Sequence, residues 1–354
     1  MMEGQISSLR RRKRRRRTVL SAVFFFAFLC GCFFLVRYQM RTESFAIAPD
    51  AEVLTVKSRV YALKDGVLEG YTSHGKRLFD IGVDGADQLC AAGKYVVAYS
   101  QDRLFVIGKN GQLFSKMDTD GKIRSVDCQD QLFSVLVLND EKTGVVYVFD
   151  AQGRQLDEVS TGEFLEGDII TGAGVSGQTL WILTINAEGS MPVSRIYLFN
   201  VREQTLLARI AIPEQIVYDV AMDEKSVIAI GTGQILCYNR TGALQWQKAA
   251  GGMYEVRKDL EKGHVVLTLH DRESGTYRTL YNYSDFTVAP DAGTTFFQNH
   301  RMYYFLGDHL IGYRVSDYMK IRRVQFEGMY SDARALNRNR ILLFDGEQWI
   351  SRLM

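Results

Sequence analysis

The segment Cys237-Tyr-Asn-Arg-Thr-Gly-Ala-Leu-Gln-Trp-Gln-Lys-Ala-Ala-Gly-Gly252 reads as an apolar strand, a polar turn closed by Gly242, a second strand and a loop. Weaker copies of this form occur at Leu68–Asp80 around Ser73-His-Gly75, at Leu104–Lys116 around Lys109-Asn-Gly111, and at Val146–Glu158 around Ala151-Gln-Gly153. The glycine in each turn supplies the positive φ that a tight hairpin requires. Self-similarity at a spacing of roughly 35–50 residues identifies stacked copies of one supersecondary unit. Units of four short strands stack radially into a β-propeller.

The surrounding sequence fits that reading. The chain has 354 residues, 46% hydrophobic and 24% charged, an ordinary globular composition. Gly is frequent at 31 and Pro scarce at 4, which suits many tight turns between ladder-paired strands. Runs such as Tyr95–Tyr99, Phe133–Leu138 and Leu180–Ile185 are rich in β-branched and aromatic residues, and past the first forty residues no amphipathic helix of ordinary length is evident. Grouping strands by fours continues the third-to-fourth turns at Val201-Arg-Glu203, Asn239–Gly242, Ser284-Asp285 and Ser316-Asp317. An eighth unit starts at Arg334-Ala-Leu336 and runs through Ile341–Leu353 around Asp345-Gly346, then lacks an outer strand. Ser44–Ala48 has no other partner and is expected to supply it, closing the ring and removing an open edge. The expected fold is therefore all-β, a propeller over residues 44–354 with eight blades, seven being the alternative.

Arg240-Thr-Gly-Ala-Leu-Gln-Trp246 resembles the x-T-G-x-x-x-W repeat of quinoprotein-like (pyrroloquinoline-quinone-like) propellers. The other copies keep the glycine and place Phe79, Phe114 or Leu156 where the tryptophan stands. The resemblance implies a propeller whose Trp246 packs between blades. It implies no cofactor, because the quinone dehydrogenases carry an adjacent pair of cysteines and a bound Ca²⁺, and this chain has no vicinal Cys pair. The overall layout also resembles uncharacterised membrane-anchored propeller proteins of Gram-positive bacteria, a likeness that brings no activity with it.

The first forty residues set an address. Arg10-Arg-Arg-Lys-Arg-Arg-Arg-Arg17 runs directly into Thr18–Val36, 19 residues without a charge. That is about the length needed to cross a hydrocarbon core as a helix. More cations precede the apolar run than follow it at Arg37 and Arg41, which puts the N-terminus in the cytoplasm. The expected organisation is a basic tail over 1–17 with affinity for anionic lipid near Arg10 to Arg17, an anchor over 18–36, a linker over 37–43 and an outside propeller. Leu29-Cys-Gly-Cys32 loosely resembles a lipobox, in which Cys32 would be lipidated; Phe33–Val36 continues the apolar run past that cut, so an uncleaved anchor is expected. Residues 1–42 hold ten of the 43 Lys and Arg and one of the 41 acids, so the remainder carries a net −7 and has no overall pull toward nucleic acid.

Chemistry is harder to find. The sequence has no G-x-S-x-G, no H-E-x-x-H and no P-loop, and no catalytic, cofactor or metal residue is nominated. The histidines are scattered at 74, 264, 270, 300 and 309; His264 and His270 share a strand face but stand about 20 Å apart, too far to share a metal. Asp118 and Asp120 lack the EF-hand pattern and read as a turn between blades, as do Asp80, Asp84 and Asp87 one blade earlier. Cys90, Cys128 and Cys237 lie outside the apolar run; Cys90 and Cys128 occupy similar first-strand positions in adjacent blades and are expected as buried free thiols, a bond between them being the alternative. Tyr277, Tyr281 and Tyr283, with Tyr303 and Phe305, form aromatic stripes expected to pack between blades rather than stack on sugars. The functional expectation is a tethered, non-catalytic binding or scaffolding module for an envelope protein or glycan. A glycan hydrolase or lyase working in the central funnel is one alternative. A sensor is another, and with only 17 tail residues it would need a signalling partner.

Overall fold

The computed structural model describes Phe25, Phe26, Phe28 and the chain from Thr42 to Met354 apart from residues 130, 141–142, 161–167, 251–253, 262–263, 272, 282–283, 289–293, 299 and 338. The strands of this part form eight four-stranded antiparallel sheets. In chain order they occupy 52–82, 88–118, 122–160, 169–213, 217–249, 255–288 and 294–325, and the last combines 332–353 with Glu43–Phe45. Glu43 pairs with Ser351 and Phe45 with Trp349, so the chain start does supply the outer strand of blade 8. Among the described residues no helix is long and apolar enough to cross a membrane; the expected anchor over 18–36 lies almost wholly outside them.

The core is divided into seams. Each hydrophobic cluster among the described residues joins two adjacent blades, and together they cover all eight junctions. This is why the second strands, such as Tyr95–Tyr99, Leu132–Leu138 and Ser226–Gly231, read as continuous apolar runs: both their faces are covered. The outer strands alternate instead, as in Leu113–Asp118 and Leu244–Ala249. Trp246 is half-buried in the seam of blades 5 and 6, near Cys237 and Leu267, where the repeat resemblance implies it should pack. The aromatic stripes also pack: Tyr277, Tyr281, Tyr303 and Phe305 are all buried, while Tyr283 lies outside the described residues.

The repeated hairpin turn has a physical explanation. Asn239 Oδ1 accepts the N–H groups of Thr241 and Ala243, and Gly242 closes the turn at φ +87°. Asp150 does the same for Gln152 and Arg154, with Gly153 at +84°, and Thr72 Oγ1 for His74 and Lys76, with Gly75 at +75°. A bulge follows in the third-to-fourth strand pair of blades 1, 2, 3, 4, 5 and 7. Blade 6 departs from the rule, and there the expected turn at Ser284-Asp285 is corrected. Tyr281 pairs directly with Ser284, so Ser284 and Asp285 open the fourth strand, Ser284–Val288, instead of lying in the connection before it.

The cysteine expectation is also corrected. Cys90 and Cys128 are joined in a disulfide with Cα atoms 6.1 Å apart. Both sit on innermost strands, Gln88–Ala92 and Lys122–Gln129, and innermost strands of adjacent blades approach closely at the axis. Equivalent positions in neighbouring blades therefore bring the two sulfurs within bonding reach. Cys237 is free and buried, as expected, and burial pushes its thiol up to about 11.

Candidate binding site in the central channel

Each innermost strand is hydrogen-bonded on one side only, so its other edge turns unpaired N–H and C=O groups toward the channel. Side chains of neighbouring blades satisfy several of them. Asp127 of blade 3 accepts the Val175 N–H of blade 4 at 3.0 Å. Lys258 of blade 6 donates to the Val220 carbonyl of blade 5 at 2.9 Å, and Arg257 donates to the Thr295 carbonyl of blade 7. Gln298 reaches the Asn337 carbonyl of blade 8, and Arg334 reaches the Val53 carbonyl of blade 1. The Cys90–Cys128 disulfide links the innermost strands of blades 2 and 3 covalently.

Where the innermost strands of blades 3, 5 and 6 finish, the ties surround a cavity of about 330 Å³, with Asp127, Gln129, Trp181, Met222, Lys258 and Asp259 in its wall. Gly174 makes the wall possible. A Cβ there would stand 2.4 Å from the Trp181 ring and 2.5 Å from Asp127 Oδ2, so only glycine lets indole and carboxylate close over the strand. The Lys258 ammonium lies 5.6 Å from the Trp181 ring centroid and 2.5 Å from Asp219 Oδ1. Burial raises the Asp127 carboxyl above its ordinary value; Lys258 and the Val175 N–H oppose the rise and Asp219 adds to it. Burial likewise raises Asp259, against the pull of Arg257, whose Nε lies 3.2 Å from Asp259 Oδ2. The site can hold a small group with an apolar face for the indole and hydrogen-bonding edges for Asp127 and Lys258.

The residues weighed in the sequence fall elsewhere. His264 and His270 occupy opposite ends of one strand; His264 lies 3.8 Å from Asp223, and His270 stacks on Tyr277 at 4.2 Å. His309 pairs with Asp308 at the rim. Asp118 is exposed and sits 3.5 Å from Arg103, and Asp80 is 3.2 Å from Arg77, as turn and strand-edge residues do. No group of His, Cys, Asp or Glu among the described residues is arranged to hold a metal. Sequence reading missed Asp127, Trp181 and Lys258. Their one signal was that Lys258 and Asp259 interrupt an innermost strand, which cannot be read without the blade register.

These features define an eight-bladed β-propeller whose innermost strands are tied by side chains and enclose a cavity walled by the Trp181 indole. The chain belongs to a family of unknown function (DUF5711), whose model matches residues 53–288. No curated protein matches it. Among solved structures it is similar to the computationally designed Ika8 protein, at a TM-score of 0.60 and 12% identity, covering 88% of this chain and 100% of that one. It is similar to BamB from Moraxella catarrhalis, at 0.54 and 11%, covering 89% and 99%. It is also similar to Sqt1 from Saccharomyces cerevisiae, at 0.56 and 13%, covering 88% and 96%. At such identities the likeness is one of fold.

Proposed function

We propose that this chain is a single-pass membrane protein whose propeller stands outside the membrane as a non-catalytic binding or scaffolding module of the cell envelope. The observation that carries the binding reading is the state of the channel. Asp127, Arg257, Lys258 and Arg334 hold neighbouring blades together, which leaves a walled cavity and a ring of loops to present to a partner. The disulfide supports the outside location, because such bonds persist in oxidising compartments. The basic run and 19-residue apolar stretch give the direction of insertion. Tethering raises the effective concentration of the propeller for partners in the same membrane-proximal layer.

A second reading, a glycan hydrolase or lyase acting in the channel, rests on Asp127 and Asp259, two carboxyls on one cavity wall whose protonated forms burial favours. In-cell crosslinking with pull-down of the full chain separates the two. The module reading expects one envelope protein or glycan to be recovered with wild type and with D259N alike. Turnover of envelope glycan that D127N and D259N each abolish would replace it. Protease added to intact cells should remove the propeller; full protection would refute the outside location.

A further inference from the structure

The two faces of the ring differ in charge. Because all innermost strands run the same way along the channel, the first-to-second and third-to-fourth turns of every blade share one face. The second-to-third turns and the connections between blades share the other. The first face is basic, with exposed Lys57, Lys76, Lys94, Lys109, Arg202 and Lys320 in or beside its turns. Asp150 and Asp317 there are already paired with Arg154 and Arg314. Glu203 and Glu224 are the other exposed carboxylates among the described residues of these turns. The opposite face carries exposed Asp65, Asp102, Asp140, Glu188, Glu273 and Asp345 in its hairpins. Asp50, Asp84, Asp87, Asp120, Glu214 and Glu327 add to it between blades. Its described cations are Lys64, which is bound to Asp50, Arg103 and Lys122.

The basic face also carries an apolar rim. Leu78, Leu113, Leu156, Leu207, Leu244 and Met319 are exposed at or near the start of the outer strands, Leu244 and Met319 by 50% and 57%. Met191, Ile216 and Met329 are exposed on the other face, but among carboxylates. The chain enters blade 8 at Glu43, whose partner Ser351 lies toward the basic face. From Val36 to Glu43 the chain reaches about 25 Å at full extension. Crossing the thickness of a blade, about 20 Å for a strand of six residues, would consume nearly all of that reach.

We infer that the basic, leucine-rimmed face of the propeller docks on the surface of an anionic phospholipid bilayer. Cations flanked by exposed leucines are the pattern of interfacial binding, with the ammonium and guanidinium groups at the headgroups and the apolar groups below them. The cavity end of the channel then faces the lipid and the acidic turns face outward. This placement rests on the tethered reading above.

The test is amide hydrogen exchange of the full chain in nanodiscs of phosphatidylglycerol with phosphatidylcholine, against phosphatidylcholine alone. Exchange should slow in the turns at 73–76, 108–112 and 201–204 in the anionic discs only, and the slowing should vanish at high salt. Each surface cation contributes about a factor of five to such an attraction, so K76E/K109E/R202E together should abolish it. L156S/L207S should weaken it, and D65K/D102K/E188K on the opposite face should leave it intact. Resistance of the same variants to carbonate extraction reports the anchor separately. Loss of extraction resistance in the wild type sinks the tether, whereas retained resistance without protection of these turns sinks only the docking. Protection of the acidic face, equal protection in both lipids, or protection by soluble anionic wall polymer but not by anionic discs each overturns the proposal.

Discussion

Asp127 and Asp168 lie in adjacent blades, one in the channel cavity and the other within its own blade, and their surroundings have opposite consequences. The Asp168 side chain is fully covered and receives Thr184 Oγ1 at 2.8 Å, Asn186 Nδ2 at 3.0 Å, the Tyr197 hydroxyl at 3.2 Å and the Arg195 guanidinium, all from its own blade. Burial pushes its carboxyl up, but the bonds from Arg195, Asn186 and Thr184 outweigh burial and hold it below the ordinary range. Asp127 receives one backbone N–H, from Val175 of the next blade, and stands in the wall of the cavity. With fewer donors, burial wins and its carboxyl is raised. The difference teaches that a carboxylate saturated with donors is a structural group, whereas one with few donors keeps capacity for a ligand.

The largest effect should come from breaking the saturated site. Asp168→Ala leaves Arg195, Thr184 and Tyr197 facing an empty acceptor position and should cost about 3–5 kcal/mol, read as a lowered denaturant midpoint at unchanged slope. A loss under about 1 kcal/mol would show that the Asp168 knot is no stronger than a surface pair, and the contrast with Asp127 would collapse. Next comes the covalent tie of the channel. Replacing Cys90 and Cys128 together with serine releases a link across 38 residues, and should cost about 2–4 kcal/mol. Thiol titration of denatured, unreduced protein should find Cys237 reactive and this pair unreactive until a reductant is added. Gly174→Ala tests the cavity wall itself. Its Cβ would displace Trp181 or Asp127, at a cost of about 1–3 kcal/mol for overpacking, with the Trp181 environment changing by fluorescence; unchanged fluorescence and stability would mean that the wall is loose.

How much of this was legible follows from what repeats. The Gly242 turn and its copies at Gly75, Gly111 and Gly153 recur in sequence because four blades meet the same backbone demand, a positive φ at the close of the third-to-fourth turn. The closure of blade 8 by Glu43–Phe45 was legible because an open blade and an unused strand each lacked a partner. The channel was not legible. Asp127, Trp181 and Lys258 come from blades 3, 4 and 6, and each answers a local need for a tie or a wall that no other blade repeats. The disulfide was misjudged although its cysteines read as equivalent first-strand positions of adjacent blades, because a small buried thiol also packs well there and the sequence does not say how closely two innermost strands approach at the axis. The charge difference between faces was written in the turns but becomes visible only once alternate turns are assigned to opposite ends of the ring.

The smallest predicted effect gives the sharpest test, because its sign reverses between the two aspartates. A carboxyl held below its ordinary value, as at Asp168, contributes stability above that value and loses it as pH falls through the lowered one. At Asp127 the carboxyl is raised above the ordinary 3.8, so between 3.8 and the raised value the folded state holds the extra proton and stability falls as pH rises. Asp127→Asn keeps an oxygen for the Val175 N–H and removes the charge that burial disfavours. At neutral pH it should leave stability unchanged or raise it by about 1 kcal/mol or less. That advantage over the wild type should shrink as pH falls toward 3.8, where the wild-type carboxyl becomes neutral as well. Paired urea titrations of wild type and variant across this range measure the difference directly. An advantage that grows on acidification would mean that Asp127 is held ionised by its donors, and the contrast between channel and blade would fail.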